Sequence, residues 1–175
     1  MTPLNAPRTV FALDPGKLAC GVALFVNERF RVGAYLKADN TFLLGKEVEL
    51  WARAQRERFA LPDLVDTLVC EGQQVYPGMR SANPNDLLPL SYLCGAVQAR
   101  IPAHQCLMPL PKTWKGTLRK EAFTRRILSR LGKDEMEILK QVKCPPSLLH
   151  NVVDAVGLAL WTMGAVRTDE TTEVV

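Results

Sequence analysis

Three acids in this chain sit where ordinary surface carboxylates do not. Asp14 closes the apolar run Thr9-Val10-Phe11-Ala12-Leu13 and is followed by the turn residues Pro15 and Gly16. Glu71 closes Thr67-Leu68-Val69-Cys70 and is followed by Gly72. Both runs are short, apolar and partly β-branched, which is the pattern of a buried strand. Asp154 stands in a third setting, the stretch 147–166 with apolar residues at helical spacing. On a wheel of about 100° per residue, Leu149, Val152, Val156, Leu160 and Met163 lie broadly opposite it. Leu158 and Trp161 share its side, so the later turns are apolar nearly all round and predict a helix buried on most sides. An ionised Asp there costs about several kcal/mol unless a cation meets it. No Lys or Arg lies between Lys143 and Arg167, so the cation must come from elsewhere.

If the three acids converge, they repel one another in a poorly solvated site. A hard divalent cation such as magnesium resolves that repulsion, because it takes oxygen ligands and keeps several waters. Two such ions about 4 Å apart can activate a water and stabilise the leaving oxygen of a phosphodiester. His150, one turn before Asp154, and Asn151, three residues before it, both fall within about 60° of it on the wheel. Blander readings stand beside this one. Asp14-Pro15-Gly16 is ordinary turn chemistry, and a distant basic residue could satisfy Asp154.

The elements that must position these residues follow from the rest of the pattern. Residues 9–14 and 20–26 predict a hairpin, and the alternation in 29–37 predicts a third antiparallel strand near an edge. A helix is expected over 44–59, with Val48, Leu50, Trp51, Ala54 and Phe59 forming its apolar side. After the strand ending at Glu71, residues 73–83 read as a loop. Asn83 and Pro84 read as an N-cap and first helical position, opening a helix to Arg100 in which Gly95 and Ala96 allow close packing on the sheet. Residues 104–108 predict a last strand and 109–116 a rigid proline-containing loop. A basic helix over 118–131, a short one over 134–142 and the long one over 147–166 complete the chain. Residues 1–7 and 168–175 read as flexible ends of a single domain spanning 1–175.

With 175 residues, 47% hydrophobic and 23% charged, the chain is long enough for one packed core. No apolar run is long enough to span a bilayer and the start lacks a signal-peptide pattern, which points to the cytoplasm. Five cysteines at 20, 70, 94, 106 and 144, without a Cys-x-x-Cys pair, read as reduced and mostly buried thiols. With only His104 and His150 as histidines, a structural zinc site is disfavoured. Net charge is only +4, yet residues 101–145 hold ten Lys or Arg against four acids. Such a local excess suits a polyanion such as nucleic acid, although a solvated helix surface would look the same.

The ordered set of motifs resembles the RuvC-like Holliday junction resolvases of the RNase H-like (retroviral integrase) superfamily. The matching pieces are Leu13-Asp14-Pro15-Gly16 with Gly21, Val69-Cys70-Glu71, and Gly95 in the next helix. Pro111, Trp114 and Lys115 follow, then Lys120 opening Glu121-Ala122-Phe123, and finally Val153-Asp154-Ala155 with Leu158-Ala159-Leu160. The set spans nearly the whole chain. It implies an α/β fold with a mixed five-stranded sheet, three antiparallel strands and then parallel ones, flanked by helices. It also implies a homodimer that binds branched DNA and makes paired nicks with Mg2+ or Mn2+, two ions per site. Carried over by motif, Asp14, Glu71 and Asp154 are metal ligands and catalytic. Lys115 and Lys120 face DNA phosphates, with Arg119 beside them.

Two departures matter. Members place an acid or histidine three residues before the last Asp, where this chain has Asn151, with His150 one position earlier. The segment between Lys115 and Lys120 is also shorter than in bacterial members and lacks their Gly-rich pattern. The compact form is more like phage-encoded members, which places the protein in a bacterial or phage-infected cell. Tyr76, stiffened by Pro77 in the loop after Glu71, is a candidate wedge at a branch point. Rival classes are an inactive branched-DNA binder, an actin-like phosphotransferase, and a related nuclease acting on RNA. Retention of all three acids argues against the first. The chain is short for the second, which needs two domains.

Overall fold

The computed structural model describes residues 8–74 and 84–166. Strands β1 (Thr9–Pro15), β2 (Ala19–Val26) and β3 (Arg29–Lys37) form an antiparallel meander. Helix α1 (Thr41–Arg58) crosses to β4 (Val65–Cys70), which pairs parallel with β1. A 3-10 turn (Pro84–Asp86) and helix α2 (Leu88–Arg100) lead to β5 (Ala103–Leu107), parallel to β4. Then come α3 (Pro111–Lys115), α4 (Lys120–Leu128), α5 (Lys133–Lys140) and α6 (Leu149–Thr162). The sheet order β3-β2-β1-β4-β5 puts the two acid-bearing strands side by side at its centre, with β3 at an edge as the alternation predicts.

Strand alternation divides the core in two. Phe11, Leu13, Cys20, Val22, Leu24, Leu68 and Cys70 pack under α1 and α2. Val10, Ala12, Ala23, Phe25 and Val69 pack on the other face, beneath α6 and the aromatic cluster of Trp114 and Phe123. Continuing the period of two carries Asp14 and Glu71 onto this second face, where α6 lies. Polar ties fix the frame. Thr9 donates its N–H and hydroxyl to Asp66 Oδ2 at 2.6 and 3.0 Å, joining β1 to β4. Buried Glu135 accepts from the Phe30 N–H at 2.6 Å and the Gly132 N–H at 2.8 Å, joining α5 to β3.

Several expectations are corrected. Helix α1 starts at Thr41 because the Asn40 side chain caps it, accepting from the Leu43 N–H at 2.9 Å. Its buried side is Leu44, Gly45, Val48 and Ala52, whereas Leu50 and Ala54 face solvent. Helix α2 begins at Leu88, after the 3-10 turn, and the Asn83 cap lies outside the described residues. Gly95 is exposed, with open space where a Cβ would stand. The close helix approach is instead between α1 and α2, where a Cβ added at Gly45 would lie 3.5 Å from the Ala96 Cβ. The expected loop 109–116 contains α3, with Pro111 at its start, where proline's fixed φ suits a helix. Cys106 is exposed and Cys144 half-buried, so only Cys20, Cys70 and Cys94 are the buried thiols expected.

Candidate metal and nucleic-acid site

The β1–β4 pairing brings the first two acids together. The ladder runs from Val10 opposite Thr67 to Leu13 opposite Cys70, and the Glu71 N–H extends it by donating to the Leu13 carbonyl at 3.0 Å. Gly72 N–H donates to the Pro109 carbonyl at 2.8 Å, holding the far side of Glu71. Glu71 is thus fixed next to Asp14.

Helix α6 supplies the third acid through a close approach to β2. Gly21 pairs with Asp14 across the hairpin, on the α6 face. A Cβ at Gly21 would fall 2.0 Å from the Asn151 carbonyl oxygen and 2.7 Å from the Val152 nitrogen, so only glycine lets α6 seat here. With α6 seated, Asp154 and Glu71 meet at one ammonium. Lys115 Nζ lies 3.1 Å from Asp154 Oδ2 and 3.3 and 3.4 Å from the two Glu71 oxygens. This is the distant cation that Asp154 calls for. Glu71 and Asp154 thus share one lysine, and Asp14 stands beside Glu71 on the neighbouring strand.

The electrostatics follow from that crowding. Burial, then the hydrogen bond and charge of Glu71 and the charge of Asp154, push the Asp14 carboxyl well above the usual carboxylate range, against a lowering pull from Lys115. Burial works to lower the Lys115 pKa, but the charges of Glu71, Asp154 and Asp14 outweigh it and raise the group above its ordinary value. Among the described residues no three His, Cys, Asp or Glu side chains already stand around one point as a metal cage. The donor chemistry nonetheless fits a hard divalent cation: three carboxylates from separate elements, one of them held to its proton by burial and by its acidic neighbours.

Lys115 is held from below. It ends α3, whose Trp114 is fully buried and packs edge-on to Phe123 at 5.2 Å. The ammonium sits 4.7 Å from the Trp114 ring centroid. Gly116, at φ 65°, then turns the chain away in a conformation that favours glycine.

A cleft of about 340 Å³ opens over the site, lined by Lys115, Leu118, Lys120, Phe123, His150, Asn151 and Asp154. Arg119 and Lys120 are exposed at its margin. The His150 Nδ1 lies 2.8 Å from the Ser147 carbonyl, so Nδ1 donates and Nε2 is left as the acceptor nitrogen. Both His150 and Asn151, the two candidates for a fourth site residue, line the cleft. Tyr76 lies outside the described residues. Leu118 and Phe123 as cleft walls were not legible beforehand, since a helix-spaced apolar residue reads as core. The contact of Lys115 with the acids had a signal: an Asp in need of a cation and a lysine in the same motif set.

No family model and no curated protein sequence matches the chain. Solved structures do. RuvC of T. thermophilus in complex with Holliday junction substrate superposes with a TM-score of 0.54 at 18% identity, covering 91% of this chain and 98% of that one. A second Thermus thermophilus RuvC structure gives 0.52 at 17%, with the same coverage. The yeast mitochondrial Holliday junction resolvase Ydc2 gives 0.50 at 10%, covering 93% of this chain and 83% of that one. The chain therefore has the mixed five-stranded, helix-flanked RNase H-like fold of these proteins.

Proposed function

We propose that this protein is a divalent-metal-dependent endodeoxyribonuclease, a compact, phage-type resolvase that cuts four-way junctions and other branched DNA in the cytoplasm by paired nicks. The observation that carries the reading is that Glu71 and Asp154 share the Lys115 ammonium, with Asp14 on the neighbouring strand end, beside a cleft that Asp154, Lys115 and Lys120 line. The three structures named above, all described as RuvC or a Holliday junction resolvase, support the choice of substrate.

In this reading Asp14, Glu71 and Asp154 hold Mg2+ or Mn2+. When bound, a pair of such ions activates a water and steadies the leaving oxygen. The chain's own groups do the rest. Lys120 and Arg119 draw the phosphate backbone across the cleft mouth, and such contacts fix register without reading sequence. His150, its Nδ1 committed to a carbonyl, presents Nε2 to take or return a proton at the cut phosphate. Phe123 and Leu118 exclude water from one wall. The proposed partner is a second copy of this chain, which would supply the second nick. Exposed Leu88 and Tyr92, one turn apart on α2, offer an apolar surface for it.

The test is incubation of labelled four-way junction, flap, duplex and RNA–DNA hybrid with and without Mg2+. Paired cuts in the junction that require Mg2+ are expected, and Asp154→Asn should lower the rate at least roughly a hundredfold, as loss of charge stabilisation does elsewhere. Binding of uncut junction by that variant should persist. Preferential cutting of the hybrid, or wild-type cutting by Asp154→Asn, overturns the reading.

A further inference from the structure

Lys115 does not behave as a surface lysine waiting for DNA. Its side chain is 27% exposed, and its ammonium faces two carboxylates that are only 11% and 14% exposed. The pairing is built, not incidental: the flanking Trp114 is locked in the core, its ring lies under the ammonium, and Pro111 and Gly116 bound the short helix that carries both. Lys120 lines the same cleft but stands exposed at its margin, where a phosphate contact belongs.

We propose that Lys115 is the resident counter-cation of the metal-free site. It holds Glu71 and Asp154 together before metal arrives, and a divalent cation must displace it to reach the same oxygens. This rests on the metal-site reading above. Ammonium and divalent cation cannot share oxygens at about 3 Å without strong mutual repulsion. Metal loading therefore expels Lys115 from the carboxylates, and the nearest open direction is the cleft, where a phosphate would lie. One side chain then does two tasks in sequence. It keeps the acids in place, and once displaced it becomes a phosphate contact. By linkage, metal tightens DNA binding and DNA tightens metal binding by the same factor.

The full chain, stripped of metal, is titrated with Mg2+ by calorimetry and melted with and without it. Lys115→Met should melt below wild type without metal, because two carboxylates lose their partner. It should also bind Mg2+ roughly tenfold more tightly, a modest share of the attraction between unit charges at this separation. Lys115→Arg should stay close to wild type in metal-free melting, and the control Lys112→Ala, exposed on the same short helix, should match wild type in both readouts. Wild type itself gives an independent measure through amine labelling read by mass spectrometry. Lys115 should label slowly without metal and faster with Mg2+. Equal Mg2+ affinity in Lys115→Met and wild type, or labelling of Lys115 that Mg2+ does not change, overturns the proposal while leaving the metal site standing. Wild type that binds no Mg2+ overturns the metal-site reading and this inference with it.

Discussion

Burial and the charges of Glu71 and Asp154 make Asp14 hold a proton to higher pH than a solvated aspartate does. The consequence for stability has a definite sign. A group whose folded pKa is raised contributes stability that is fully present below its unfolded pKa, near 3.9 for Asp, and is lost as pH rises through the folded value. The metal-free protein should therefore lose stability as pH rises above the ordinary aspartate range, in part because Asp14 must ionise among other acids. Asp14→Asn, a neutral amide of nearly the same shape, removes that titration. Its Tm without metal should exceed the wild-type Tm at neutral pH, and the gap should widen with pH above that range. A chain of this size shifts by about 2–4 °C per kcal/mol. Mg2+ should close the gap by stabilising wild type and not the variant. A gap that narrows as pH rises would show that Asp14 is not the strained group.

At the scale of elements, everything at the site depends on how closely α6 lies on the β1–β2 hairpin. Gly21 sets that distance, because the Asn151 and Val152 backbone sits where a Cβ would be. Backbone cannot move aside as a flexible side chain can. Gly21→Ala should cost roughly 1–3 kcal/mol or more from overpacking, lowering Tm by several degrees. It should also draw Asp154 away from Glu71, so that Mg2+ no longer raises Tm. The contrast is Gly33→Ala, where the nearest atom is a Val152 side-chain methyl at 2.9 Å and the nearest backbone, the Val22 carbonyl oxygen, is at 3.1 Å, against backbone at 2.0 Å for Gly21. It should cost less and keep the Mg2+ response. Equal metal responses in the two variants would mean that Gly21 does not set the α6 position. The same closeness explains what was legible in the sequence. Strands β1, β2 and β4 could be read because they are buried on both faces and so are continuous apolar runs, and the two-residue repeat of a strand carries Asp14 and Glu71 to one face. The start of α2 could not be placed, since the 3-10 turn before it uses the same Pro84 signal as a helix start. Of Gly95 and Ala96, both expected to pack closely on the sheet, Ala96 instead faces α1 and Gly95 faces open space, because sequence alone does not tell a small residue facing a neighbour from one facing water. The need of Asp154 for a cation is legible, and that Lys115 meets it together with Glu71 shows only in the folded chain, which brings residues 71, 115 and 154 side by side.

For the whole molecule, the proposed paired nicks raise the question of how a second strand is cut. Each copy carries a single set of acids, so paired cuts in opposing strands need two copies held in a fixed relation. The surface offered for this is on α2, where Leu88 is 65% and Tyr92 51% exposed, one turn apart, with bare Gly95 on the following turn. Aromatic anchors of this kind dominate interfaces, and their loss costs about 2 kcal/mol or more, or roughly thirtyfold in affinity. A charge in place of the ring adds desolvation to the lost contact. Tyr92→Glu should therefore shift the protein from dimer to monomer in sedimentation velocity, without lowering its Mg2+-induced rise in Tm. The consequence for cutting is read on a supercoiled plasmid carrying a cruciform. Wild type should convert it to linear DNA, because the second nick follows the first within one complex. The variant should release nicked circles, each half-reaction proceeding alone and more slowly as protein is diluted. A wild type that sediments as a monomer would remove the paired-nick mechanism. A Tyr92→Glu variant that stays dimeric and still linearises the plasmid would move the interface off α2 and leave the nuclease site as described.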